Sequence, residues 1–129
     1  MPAGTVEQGE TNIIAAIREL NEEIGYVADE LIDIGSYYPM AATVKQSCAV
    51  VLALGCHLNP NQKQGLSCDD LENETGLELV REDQIEELIS SNALMDGQAM
   101  VAICKAVAYL KAQKQAGVQI MTHSESFIE

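Results

Sequence analysis

A chain of 129 residues that is 47% apolar is long enough for one compact domain with its own core and too short for two ordinary ones. Twenty acidic residues against seven basic ones give a formal charge of −13, which repels nucleic-acid phosphates and anionic membrane surfaces and argues against both as partners. No charged leader followed by an apolar run opens the sequence and no stretch approaches the ~20 apolar residues needed to cross a bilayer, so the expectation is a cytoplasmic protein without membrane contact.

In chain order, Ile13, Ile14, Ile17, Leu20 and Ile24 recur at helical spacing from Asn12 to Ile24, and Gly25 follows where a left-handed C-terminal cap belongs. Leu31 to Tyr38 and Ser47 to Leu58 are rich in β-branched and apolar residues, bounded by Pro39, Asn59 and Pro60, and read as strands. The second is apolar on both faces, which predicts a central position in the sheet. Asn59 to Gly76 is a polar loop long enough to suggest a function. Leu77 to Val80 reads as a short strand and Glu82 to Ser90 as a short helix. A longer helix is expected from Asp96, its N-cap, to Lys114, with Met100, Val101, Ile103, Val107 and Leu110 as its apolar positions. The tail after Ala116 carries no pattern. Cys48, Cys56, Cys68 and Cys104 are too dispersed for a structural zinc site or a redox motif and read as buried thiols.

The sharpest chemical feature lies on the first helix. Glu19, Glu22 and Glu23 fall three and four positions apart and so project together. Such carboxylates repel one another, a cost that hard, oxygen-preferring cations such as Mg²⁺ or Mn²⁺ would offset. The alternative is a solvated acidic face, with Arg18 merely pairing with Glu22 four residues on. His57 and His123, and Tyr37 and Tyr38 beside Pro39, have simple structural readings. Lys111 and Lys114 complement the C-terminal dipole of the last helix.

The frame around the triad narrows the choice: Gly4, five residues, Glu10, seven residues, Arg18-Glu19, Leu20, Asn21, Glu22-Glu23, Ile24, Gly25. At ordinary residue usage, its seven specified positions coincide by chance about once in 10⁸ windows. This stretch is identified as a Nudix box. Pro2-Ala3-Gly4, Tyr37-Tyr38-Pro39, Glu72-Asn73-Glu74 and Asp96-Gly97-Gln98-Ala99-Met100 extend the resemblance toward the branch of that family acting on ADP-ribose and nucleoside diphosphate sugars.

The resemblance implies an α/β fold, an α/β/α sandwich with a mixed sheet, over residues 1–115, followed by a tail over residues 116–129. It implies a Mg²⁺- or Mn²⁺-dependent hydrolase cleaving a nucleoside diphosphate linked to another moiety. By position, Glu19, Glu22 and Glu23 would be metal ligands, with Glu22 and Glu23 also counted as catalytic, and the carbonyl of Ala3 would be a further ligand. Glu10 and Arg18 would tie loop to helix, while Gly4 and Gly25 would supply turns that a side chain would obstruct. Glu72 or Glu74 would be the general base.

Three departures accompany the match. The family's strands ahead of the box are missing, since the box begins at Gly4, and an exposed sheet edge is expected to drive homo-oligomerisation or to recruit a partner. Met40-Ala41-Ala42 and Gln46 stand where the branch usually has Ser-Pro-Gly and an acidic residue. Tyr26 replaces the more usual aliphatic residue at the end of the box. The alternative reading is a catalytically inactive binding or assembly module that keeps the box helix as scaffold.

Overall fold

The computed structural model describes residues 1–61 and 77–117. Helix α1 spans Asn12–Ile24. The Thr11 hydroxyl opens it by accepting from the Ile14 amide at 3.2 Å, and Gly25, at φ 70°, closes it by donating to the Asn21 carbonyl. This left-handed cap is the one expected, in a conformation that a Cβ disfavours.

Four strands follow: β1 (Tyr26–Val27), β2 (Glu30–Tyr37), β3 (Cys48–Leu54) and β4 (His57–Leu58). β2 and β3 pair antiparallel, with Leu31 opposite Ala53 and Tyr37 opposite Cys48, and the register is interrupted by a bulge between Asp33 and Ser36. β1 and β4 form a second antiparallel pair. A 3₁₀ turn, Glu82–Gln84, leads into α2 (Ile85–Ser90), and α3 runs over Gly97–Gln115 from an Asp96 side chain that caps the Ala99 amide at 3.1 Å.

Alternation along β3 places its side chains in two layers. Ala53 packs on one face with Leu20, Ile24, Tyr26 and Cys56. Leu52 and Leu54 pack on the other with Ala106 and Leu110 of α3. A helix therefore lies on each side of the β2–β3 pair, and the fold is α/β with the expected three layers. The described pairings are all antiparallel.

Several expectations are corrected. Among the described residues β3 pairs with β2 alone, so its two-faced apolarity reports the two helix layers and not two neighbouring strands. Leu77 to Val80 form no strand. The core-facing stripe of α3 is Ala99, Ala102, Ala106 and Leu110: small residues let the helix approach the sheet, while Val101 is exposed. On α1 the buried residues are Ala15, Leu20 and Ile24, whereas Ile14 and Ile17 remain 50% and 47% exposed. Of the described thiols only Cys56 is buried; Cys48 is half-buried and Cys104 exposed. Tyr26 packs in the core despite its hydroxyl.

Candidate active site

The segment ahead of α1 folds back along the helix, and Arg18 fastens it there. Its Nε and Nη2 donate to the two oxygens of Glu10, each at 3.0 Å, and Nη2 also donates to the Thr5 carbonyl at 2.9 Å. Glu10 in turn accepts from the Glu7 amide at 2.9 Å. These bonds, Arg18 first and the Glu7 amide second, hold the Glu10 carboxyl below its ordinary range, and the same partnership raises the Arg18 guanidinium further above its own.

The three expected carboxylates sit beside this fastening. Glu19 Oε1 accepts from Arg18 Nη1 at 2.6 Å, and Glu22 Oε2 lies 3.3 Å from the same nitrogen. Glu23 Oε2 accepts from the Ala3 amide at 3.1 Å. The N–H of Ala3 thus brings the opening segment onto the third carboxylate. A Cβ on Gly4 would overlap the Glu19 carboxylate, which explains glycine there by closeness of approach. Gly25 contributes differently, through its backbone turn and a carbonyl that accepts from the Asn59 amide at 2.9 Å.

Among the described residues no three acidic, histidine or cysteine side chains converge as a ready-made metal cage. The donor chemistry nevertheless fits a hard divalent cation: three carboxylates on neighbouring turns of one helix, with the backbone at Ala3 and Gly4 in contact with two of them. Glu72 and Glu74 lie outside the described residues, as do Cys68 and His123.

A cavity of about 560 Å³ opens between the first residues, α1 and β3. Glu19 and Ala3 line one part of it, and Tyr37, Cys48 and Gln98 another. Burial, and then the neighbouring Cys48, push the Tyr37 hydroxyl above its ordinary range. Gln98 carries no catalytic signature in sequence; only the start of α3 beside the β3 edge brings it here. Asn59 was equally illegible: its side chain donates to Asn21 Oδ1 at 2.6 Å, tying the end of β4 to α1. Tyr38 is 63% exposed. His57 sits 2.9 Å from the Gly55 carbonyl and 3.7 Å from Asp29 on the surface, an arrangement that suits a turn.

Comparison with known proteins agrees with this frame. The model of the NUDIX domain matches residues 1–93. The chain is also similar to an ADP-ribose pyrophosphatase of Bacillus subtilis (strain 168), at 30% identity over 103 residues, which is 80% of this chain and 54% of the relative. The chain therefore spans about half the length of the curated relative that it matches.

Proposed function

Since the chain belongs to the Nudix family, we propose that it hydrolyses the diphosphate bond of a nucleoside diphosphate linked to another moiety, with ADP-ribose or a sugar nucleotide as substrate. The observation that carries this reading is the placement of Glu19 against Gly4 and of Glu23 against the Ala3 amide, with Glu22 on the same helix and with Glu19 and Ala3 lining a cavity of nucleotide size. The similarity to an ADP-ribose pyrophosphatase supports the substrate class.

Glu19, Glu22 and Glu23 hold Mg²⁺ or Mn²⁺ in this reading. Bound there, such a cation would supply neutralisation of the diphosphate charge and a lowered pKa of water. The chain's own groups do the rest. Arg18 and Glu10 fix the helix against the preceding segment, so the carboxylates keep their place as substrate arrives. Glu72 or Glu74 takes the proton of the attacking water, and Tyr37 and Gln98 line the space for the remainder of the substrate. The domain is residues 1–115, with 116–129 as a tail. β3 has no second strand partner among the described residues, which supports self-association through that edge. No helix among the described residues is long and apolar enough to cross a membrane.

The test is phosphate release, through a coupled phosphatase, from a panel of nucleoside diphosphate compounds with Mg²⁺ or Mn²⁺. Turnover is expected, and Glu22→Gln should abolish it. A folded protein silent across the panel would instead be a binding or assembly module.

A further inference from the structure

Arg18 is fastened at one end and shared at the other. Nε and Nη2 grip both oxygens of Glu10 in a fork-to-fork pair, and Thr5 takes a third bond. Such bidentate geometry is directional and strong for its class. The remaining nitrogen, Nη1, stands between two of the carboxylates assigned to the metal, 2.6 Å from Glu19 and 3.3 Å from Glu22.

The two are held unequally. The Glu19 side chain is 16% exposed and packs over Gly4, while that of Glu22 is 58% exposed and faces solvent. Glu23 turns to the Ala3 amide. Each carboxylate therefore already has a protein donor, and among the described residues they do not converge on one point. A guanidinium does not shed its proton in a protein, so this positive charge stays in place at any working pH.

We infer that Arg18 is the resident counter-ion of the metal site, a positioning residue whose Nη1 occupies Glu19 and Glu22 and must be vacated by them when a divalent cation binds. The inference rests on the metal-site reading above. The Glu10 pair does not take part in the exchange: it anchors the guanidinium, and the carboxylates rotate away from it. The arrangement relieves repulsion between Glu19 and Glu22 before metal arrives, and it lowers metal affinity by the work of breaking two ion pairs. A purely structural arginine predicts the opposite effect of its removal, because a loosened helix holds metal less well.

The experiment is equilibrium Mn²⁺ binding to the full chain, followed by the electron paramagnetic resonance signal of free Mn²⁺. The proteins are the original chain, Arg18→Gln and Glu22→Gln. Arg18→Gln should bind about fivefold more tightly, the scale of a released ion pair, and Glu22→Gln more weakly than the original. Unchanged or weaker binding by Arg18→Gln, in a protein with unaltered circular dichroism, overturns the counter-ion inference while leaving the metal site intact. Should Arg18→Gln not fold, Mg²⁺ titration of the original chain followed by ¹⁵N resonances of arginine side chains decides. The Arg18 Nη1 signal should shift while Nε, held by Glu10, stays, and an unmoved Nη1 overturns the inference. If no protein binds Mn²⁺ and Mg²⁺ moves no arginine signal, the metal-site reading falls with it.

Discussion

The space that a Cβ on Gly4 would fill is already held by the carboxylate of Glu19. Gly4→Ala therefore forces the less exposed carboxylate of the paired Glu19 and Glu22 to move, although residue 4 itself lies on the surface. Diphosphate hydrolysis should fall about 100-fold, the effect of a misplacement near 1 Å. Unfolding free energy should change by no more than about 0.5 kcal/mol. Unchanged phosphate release from Gly4→Ala would remove Glu19 from the reacting centre.

If the proposed metal site is formed by the same carboxylates, metal and stability are linked through them. Mg²⁺ at 100 times its dissociation constant should stabilise the fold by about 2.7 kcal/mol, read as a rise in melting temperature. Glu22→Gln should abolish that rise. An equal rise in the variant would place the cation elsewhere.

At the other end of α1, Gly25 holds φ at 70° while its amide and carbonyl are both engaged. Gly25→Ala should cost about 1–2 kcal/mol, since an L-residue pays for the left-handed conformation. Urea denaturation measures it. A loss below a few tenths would mean that the chain relaxes out of the cap.

How much of this was legible in the sequence depends on the range of the contacts. The α1 boundaries and the Gly25 cap follow from local rules, and the helix ends where Ile24 meets Gly25. The Glu10–Arg18 tie was legible as well, from the frame in which both stand. The inward face of α3 was legible only at Leu110: residue size suggested Met100, Val101, Ile103 and Val107 as well, but the buried positions beside Leu110 are Ala99, Ala102 and Ala106. Tyr37 and Gln98 lie far apart in sequence, and only the β2–β3 register and the start of α3 bring them to one cavity.

That stripe gives a further expectation. Ala106 is buried against Leu52, Leu54 and Leu110, so Ala106→Leu should destabilise by about 1–3 kcal/mol through overpacking. Val101→Ala, on the exposed side, should stay within about 0.5 kcal/mol. Paired urea curves test the contrast, and equal losses would contradict the helix orientation.

Acid should weaken one tie between α1 and the sheet. The Asn12 amide group donates to Asp33 Oδ2 at 2.8 Å and the Gly35 amide to Oδ1 at 3.0 Å; in that order these bonds lower the Asp33 carboxyl below its ordinary value. A lowered folded-state pKa means stability that is present above the unfolded value of about 4 and lost as pH falls through the folded value. Stability measured from pH 6 to pH 2 should decline across that window, and Asn12→Ala should flatten the decline. An identical profile in Asn12→Ala would assign the acid sensitivity to other groups.

The fastenings of the candidate site are short in sequence: Ala3 to Glu23 spans 20 residues, Thr5 to Arg18 13 and Glu10 to Arg18 8. The carboxylates and the side-chain and backbone groups that bond directly to them thus travel as one continuous cassette, itself tied to the strands through the pairs Asn12 with Asp33 and Asn21 with Asn59. The cavity wall is shared: residues of this stretch, Ala3 and Glu19 among them, form part of it, and Tyr37, Cys48 and Gln98 come from other elements. Evolution can therefore alter the part of the wall that other elements supply while the carboxylates and their fastenings are inherited together, so that the acidic frame and the shape of the pocket become separately heritable traits.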